Sequence, residues 1–178
     1  MNKLWLSLMD LSRTLSIREG WITFVLTLLP IMVVVSVVKR ANWVDTPSLY
    51  MIVLVAGIGS LTLAKINRHW LFLHTSGLVL GGIVVIWQSS LLTDASEWIV
   101  RLDELQYRIL LWLRVASSPN ISNDTLPFSA FVTSVAWLIS YISVWSVFRW
   151  RNPWLSVVLT GVVILSCLSY LPDNFKIQ

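Results

Sequence analysis

The sequence predicts an all-α fold, a polytopic bundle of transmembrane helices, and three observations support this prediction. Five apolar stretches contain no Asp, Glu, Lys or Arg. They cover residues 21–38, 49–64, 71–92, 126–148 and 154–171. The composition is 56% hydrophobic and only 12% charged, with a mean hydropathy of +0.75, which differs strongly from that of a water-soluble domain. Several of the 11 Trp residues lie beside the ends of these stretches, where amphipathic rings suit the headgroup region.

The stretches match a bilayer in length, with one exception. A helix of about 20 residues crosses the hydrocarbon core of ~30 Å, and four of the stretches reach that length with modest tilt. The stretch at 49–64 is shorter, although Trp43 and Tyr50 lie where they can hold its outer end at the headgroups. We predict that it spans the membrane, with a re-entrant or interfacial segment as the alternative.

Residues 1–20 are predicted to form a juxtamembrane helix ahead of the transmembrane domain at 21–178. One face of this helix is marked by Leu4, Leu8, Leu11 and Leu15. A cleaved signal peptide is not predicted, because a small-residue cleavage site is missing and the apolar stretch that follows has full spanning length. A disordered N-terminal segment is the alternative.

The connection between the third and fourth stretches contains a predicted amphipathic helix at 95–115. Its apolar stripe consists of Trp98, Leu102, Leu105, Ile109, Trp112 and Leu113. Glu97 with Arg101 and Glu104 with Arg108 are acid–base pairs in the favourable i,i+4 order. We expect the helix to lie flat in the outer interface or to cap the bundle. A docking surface for a partner, or for the protein's own downstream domain, is the alternative.

A polar loop leads from this helix into the fourth stretch. Asn123 or Asp124 is expected to cap the next helix, because a short side-chain acceptor satisfies free amides at a helix start. Pro127 suits the first turn of that helix. Asn120 begins an Asn-Ile-Ser glycosylation pattern, which is a weak three-residue match.

The basic residues indicate topology rather than a nucleic-acid partner. The formal charge is +4 and the pI is near 9.6, but the Lys and Arg residues are scattered in ones and twos at helix ends. Lys65, Arg68, Arg149 and Arg151 lie in two tight connections on the same side as the N-terminus. Half of the basic residues on the other side lie in the long third connection, where acidic residues offset them. The sequence therefore predicts a cytoplasmic N-terminus and an extracytoplasmic C-terminus.

The predicted spans contain polar residues suited to helix packing rather than to transport. They include Thr62, Gln88, Thr133, Ser134, Ser140, Ser143 and Thr160. Such side chains hydrogen-bond to their own or neighbouring helices. Gly77 and Gly81 form a GxxxG step followed by Gly82, a surface that permits close helix approach. Packing within the bundle is predicted for this surface, and contact with a second copy is the alternative.

The sequence predicts no catalytic, cofactor-binding or metal-ligating residue. His69 and His74 are five residues apart, which is a poor spacing for a shared metal on a helix, and interface histidines are predicted. Cys167 is the only cysteine and lies inside the last stretch, so a disulfide within these residues is excluded and a buried inert thiol is expected.

Several short segments carry a resemblance to a known family. They are Arg18-Glu19-Gly20-Trp21, Ala41-Asn42-Trp43-Val44, Ile121-Ser122-Asn123-Asp124, Phe148-Arg149-Trp150-Arg151-Asn152-Pro153-Trp154 and Leu168-Ser169-Tyr170-Leu171-Pro172-Asp173. From Arg18 onward the chain resembles the N-terminal membrane region of bacterial transglutaminase-like membrane proteins. That resemblance implies a bacterial plasma membrane, a following extracytoplasmic domain with a Cys, His and Asp triad, and a further span. The triad has no counterpart in these residues, and Cys167 is not its nucleophile.

The sequence thus favours a membrane anchor that positions an extracytoplasmic domain lying outside these residues, as expected of an incomplete or truncated gene. The partners implied are the lipid bilayer and that domain or another membrane protein, without a cofactor. The competing hypothesis is a small stand-alone transporter or channel subunit that works as a homo-oligomer. An assembly factor that binds a partner through the 95–115 helix is a third.

Overall fold

The structure, a computed structural model, describes residues 21–41, 44–93, 95–116 and 124–169. All regular secondary structure in this part of the chain is helical, which confirms the predicted all-α class. The helices are α1 (Trp21–Ala41), α2 (Leu49–Lys65), α3 (Trp70–Ser90), α4 (Trp98–Ala116), α5 (Leu126–Phe148) and α6 (Trp154–Ser169). The predictions for residues 1–20, for Trp43, Asn120 and Asn123, and for the side chain of Cys167 lie outside the described part.

Helix length separates the apolar helices into two groups. α1, α3 and α5 are long and apolar enough to cross a membrane, whereas the described apolar parts of α2 and α6 are shorter. All five predicted apolar stretches are therefore helical, and three of them have the length of a span. These three long apolar helices indicate a membrane protein.

The observed ends differ slightly from the predicted ones. α1 continues through Lys39 and Arg40 to Ala41, so these two cations lie in its last turn. α3 ends at Ser90, before the predicted end at 92, and α4 begins at Trp98 rather than at 95. The last turn of α1 thus carries two positive charges, which interact favourably with the negative end of the helix dipole.

α5 is the central helix of the bundle, since it packs against each of the other five helices. Half of the residues in the most apolar segment of α5 are buried, compared with 17% of those in the corresponding segment of α3. Its buried aromatic residues are Trp137, Tyr141 and Trp145. On the opposite side of the core, α2 contributes Ile52, Val53 and Ala56, and these residues are fully buried.

The outer surface of the bundle is apolar. α1 exposes Ile22 and Leu26, α3 exposes Phe72 and Ile83, and α6 exposes Leu165, each by more than half of its surface. Such a surface would be unfavourable in water but suits lipid tails, which are as apolar as Leu. Trp87 belongs to it as well, because half of its side chain is exposed. The positions of Trp87, Trp137 and Trp145 deep inside predicted spans favour packing for all three; Trp137 and Trp145 are buried, whereas Trp87 is not.

Candidate functional site

A tight helix contact joins α3 to α5 through the predicted glycine surface. A Cβ atom built on Gly77 would lie 2.6 Å from the ring of Tyr141, and one built on Gly81 would lie even closer to the indole of Trp137. The spacing is four residues on both helices, as in two helices that pack along matching ridges. The prediction that this surface packs inside the bundle is confirmed. Because Tyr141 and Trp137 cover it, the same surface is not free to bind a second copy.

His74 extends this contact at the next turn of α3. Its Nδ1 atom lies 3.2 Å from the hydroxyl of Tyr141, and its ring centroid lies 4.5 Å from that of Trp145. His69, by contrast, is exposed and stacks on its neighbour Trp70. The two histidines therefore occupy different environments. His74 packs toward the bundle near the start of α3, and the position at the membrane interface stays a prediction for both histidines.

The His74–Tyr141 pair is suited to joining two helices rather than to metal chemistry. Where the structure describes the chain, no three His, Cys, Asp or Glu side chains are grouped as a metal site requires. Trp145 also packs against Tyr141, with ring centroids 6.0 Å apart. The arrangement places one polar contact inside an aromatic cluster, where a hydrogen bond fixes the register of two helices.

Serine hydroxyls join α2 to α5 in both directions. Ser60 of α2 donates to the carbonyl of Tyr141 at 2.7 Å, and Ser140 of α5 donates to the carbonyl of Val53 at 2.8 Å. All four groups lie in the buried contact between the two helices. Since a helical carbonyl has a second lone pair, these bonds form without breaking the helices. They confirm the predicted packing role of Ser140.

Most other predicted polar residues bond within their own helices. Thr62, Thr133, Ser134 and Thr160 donate to carbonyls three or four residues earlier. Ser143 differs, because its hydroxyl is buried and has no hydrogen-bond partner among the described residues. Ser143 is fully buried, so its predicted role in helix packing is confirmed, although its hydroxyl makes no hydrogen bond to a helix there.

A second feature is the attachment of α4 to the start of α5. The guanidinium of Arg108 binds Asp124 with two hydrogen bonds, one from Nε to Oδ2 at 2.7 Å and one from its terminal nitrogen to Oδ1. Oδ1 also accepts the backbone amide of Leu126 at 3.0 Å. Asp124 thus satisfies a free amide at the start of α5 and holds α4 at the same time. The predicted capping by Asp124 is confirmed, although the residue directly before the helix is Thr125.

This ion pair changes the titration of both groups. Hydrogen bonding to Arg108 lowers the pKa of Asp124 below its usual 3.8, against the opposing effect of partial burial, and the Leu126 amide lowers it further. The same hydrogen bonds raise the pKa of Arg108. Both side chains remain charged at neutral pH, so the link between α4 and α5 is a bidentate, charge-assisted one.

Besides this ion pair, α4 makes a small number of apolar contacts with the bundle and one of its two predicted internal ion pairs. Leu105 is buried, and Trp98 and Leu102 face Ile83 and Trp87 of α3 across a shallow apolar cleft. The predicted pair between Glu104 and Arg108 is present at 3.4 Å. The other predicted pair is absent, because Arg101 donates to the carbonyl of Ala95 and forms no ion pair with Glu97.

The opposite face of α4 is not purely polar. Ile99, Tyr107 and Leu110 are each more than half exposed on it. The sequence prediction missed this because it considered only the narrow apolar stripe, and these three residues lie outside that stripe. α4 therefore carries apolar side chains on the face that points away from the bundle, available to headgroups or to a partner.

The chain matches no protein-family model, no curated protein and no solved structure. Its function therefore has to be inferred from its own residues and geometry.

Proposed function

We propose that this chain is a non-catalytic membrane scaffold that holds a soluble domain or a partner at one membrane face, with α4 as its platform. The observation that carries the proposal is the Arg108–Asp124 link, which ties the amphipathic α4 to the central helix of the bundle. A helix that only rested on lipid would need no such link. Attached in this way, α4 keeps a defined position relative to the helices that cross the membrane.

The scaffold has five spans, α1, α2, α3, α5 and α6. α2 and α6 are short, but α2 packs along α5 and α3, and α6 packs along α1 and α5. The buried bonds of Ser60 and Ser140 support a full crossing by α2, because both lie well inside that helix contact. The N-terminus is cytoplasmic and the C-terminus extracytoplasmic, which places α4 at the outer face.

The domain that we propose as cargo is transglutaminase-like, in a bacterial plasma membrane. This part rests on the short segments that resemble the membrane region of that family, such as Phe148-Arg149-Trp150-Arg151-Asn152-Pro153-Trp154. The bundle would then set the height and orientation of a Cys, His and Asp domain encoded beyond these residues. The surface of Gly77 and Gly81, which a homo-oligomeric transporter could use to contact a second copy, is already covered by α5.

The number of spans is tested by cysteine accessibility in whole cells. In a Cys167→Ser background, Asp45→Cys lies in the exposed connection between α1 and α2, and Asn67→Cys lies in the one between α2 and α3. A membrane-impermeant maleimide should label position 45 in intact cells and position 67 only after permeabilisation. Labelling of both from the same side would show that α2 does not cross.

The same background tests α6. Trp150→Cys, in the exposed turn before α6, should be protected in intact cells. Gln178→Cys, at the C-terminal position of the sequence, should be labelled from outside. Equal protection of both positions would contradict a crossing by α6.

The cargo is tested by reading the source genome downstream of codon 178. A continued frame that encodes a soluble domain with Cys, His and Asp in triad order supports the transglutaminase-like scaffold. A stop codon without such a domain nearby contradicts that cargo and favours a self-contained membrane protein.

A further inference from the structure

An apolar groove lies between α1, α5 and α6, beside the start of α2. Its volume is about 320 Å³, within the range of sites that hold small molecules. Val34, Val38, Leu49, Phe131, Val135 and Val163 are among its lining residues, and every lining residue except Ser166 is apolar. A groove of this composition takes a hydrocarbon chain more readily than a polar solute.

The position of the groove fits one leaflet of the bilayer. It is lined by the second half of α1, the start of α2, the first half of α5 and the second half of α6, so all its walls lie toward the same end of the bundle. This is the end at which α1 runs into Lys39 and Arg40. A chain in the groove would therefore extend from the headgroup region toward the middle of the membrane.

The polar end of the groove carries positive charge. Val38 lines the groove, and the next two residues are Lys39 and Arg40. Nζ of Lys39 lies 5.3 Å from the ring centroid of Tyr50, so a cation–π contact holds this cation at the start of α2, where Leu49 lines the groove. The hydroxyl of Tyr50 lies 3.0 Å from that of Ser36 and fixes the ring against α1. Asp45 is an exposed acidic residue in the same connection.

From this combination we infer that the groove binds one acyl chain of an anionic phospholipid, whose phosphate is held by Lys39. The apolar walls select a hydrocarbon chain, and the cation at the polar end selects a negative headgroup. The inference requires that α1 and α5 cross a bilayer, but it does not depend on the scaffold role or its cargo.

The test uses the full chain reconstituted in vesicles that contain equal amounts of phosphatidylcholine and phosphatidylglycerol. Spin-labelled versions of each lipid report the fraction held motionally restricted by the protein. Wild type should restrict phosphatidylglycerol more strongly, and Lys39→Ala should lower its relative affinity by about fivefold, the equivalent of about 1 kcal/mol for one basic residue at an anionic surface. Arg68→Ala, at an exposed cation in the connection between α2 and α3, is the matched control and should leave it unchanged.

Substitutions that fill the groove with a larger side chain provide a second test. Val135→Phe should reduce restricted phosphatidylglycerol, while Val162→Phe, on the exposed outer face of α6, should not. Val163→Phe narrows the groove from the other wall and serves if Val135→Phe elutes as an aggregate. Unchanged restriction in the groove variants would overturn the inference, as would equal affinity for the two lipids in wild type.

The groove could instead be filled by the C-terminal end of this sequence or by a second copy of the chain, and each of these would give a different result. Removal of residues 170–178 would raise restricted phosphatidylglycerol if the end of this sequence filled the groove, and that result would contradict the inference. Cysteines at Val135 and Val163, in the Cys167→Ser background, would form intermolecular crosslinks if a second copy filled it, which would also contradict it. A bound anionic lipid is supported if the amount of restricted phosphatidylglycerol falls in the Lys39 and Val135 variants, if the truncation does not raise it, and if no intermolecular crosslink forms.

Discussion

Gly81 and Gly82 are neighbours in the chain with opposite surroundings. A Cβ at Gly81 would collide with the indole of Trp137, whereas a Cβ at Gly82 would meet nothing within 4 Å. Both residues are glycines inside α3 and directly follow one another, so the main difference between them is the contact of Gly81 with α5. This pair therefore separates the effect of packing from the intrinsic effect of glycine in a helix.

We expect Gly81→Ala to destabilise the bundle by about 1–3 kcal/mol, because overpacking a tight contact forces side chains or helices to shift. Gly82→Ala should be neutral or stabilising by less than about 1 kcal/mol, since Ala is the better helix former. Thermal unfolding of the purified protein in detergent measures both. Equal destabilisation by the two substitutions would contradict the α3–α5 contact.

Arg151 is a second residue whose effect on stability is expected to be local, because it depends on the backbone conformation of Arg151 itself. Its φ angle is 53°, in the left-handed region, in the tight turn between α5 and α6. A side chain in that conformation costs about 1–2 kcal/mol relative to the right-handed one, and glycine avoids the cost. Arg151→Gly should therefore raise the unfolding midpoint slightly, and Arg151→Val should lower it. A lower midpoint for the glycine variant would show that the Arg151 side chain contributes more than its backbone strain.

At the scale of the element, α4 depends on a few contacts. Among the described side chains of α4, Leu105 alone is buried, and the Arg108–Asp124 pair supplies the polar attachment of this helix. α5, by contrast, is surrounded by helices. Local opening follows such differences in burial, so α4 should exchange its amide hydrogens faster than α5.

We expect Asp124→Asn to loosen α4, because the amide carries no charge for Arg108 and offers one acceptor oxygen. The pKa of Asp124 is lowered in the folded protein, so its contribution to stability is fully present above the unfolded pKa, near 3.8, and is lost as the pH falls through the folded pKa. The protection of the α4 amides, measured relative to the intrinsic exchange rate at each pH, should therefore fall in wild type as the pH drops below 3.8.

The Asn variant provides the control for this effect. Its α4 amides should have low protection at neutral pH and lose less protection on acidification, while the protection of α5 should change little in either protein. An α4 that exchanges as slowly as α5 in the Asn variant would contradict the role of the Arg108–Asp124 link.

At the scale of the whole molecule, the exposed apolar surface and the buried hydroxyl contacts define an arrangement suited to lipid. Large apolar side chains such as Ile22, Phe72 and Leu165 point outward, while Ser60 and Ser140 are fully buried. Lipid tails provide no hydrophobic drive for helices to associate, so close packing and interhelical hydrogen bonds stabilise the bundle. We therefore expect the chain to be extracted from membranes by detergent and not by high salt or alkaline carbonate, as measured by fractionation.

Recovery in the salt or carbonate supernatant would contradict that expectation. The outcome bears on the bundle alone, because the proposed cargo domain lies outside these residues. It also differs from the accessibility experiments, which ask how many helices cross rather than whether any do.

Much of the fold follows from local properties of the sequence. Runs of apolar residues without charges determine the helices α1, α2, α3, α5 and α6, because a backbone in lipid must satisfy its own polar groups. The i,i+4 stripe of α4 determines that it is amphipathic, and the GxxxG step of Gly77 and Gly81 marks a close contact. These features concern residues near one another in the chain.

Only the tertiary structure decided which helix each surface meets. Lipid-facing and core-facing side chains are both apolar in a membrane protein, so periodicity does not distinguish Trp87, which is half exposed, from Trp137, which is buried. The centrality of α5, the partners of Gly77 and Gly81, and the pairing of Arg108 with Asp124 join residues far apart in sequence. Their contacts depend on how the helices pack against one another, whereas the helices themselves depend on local composition.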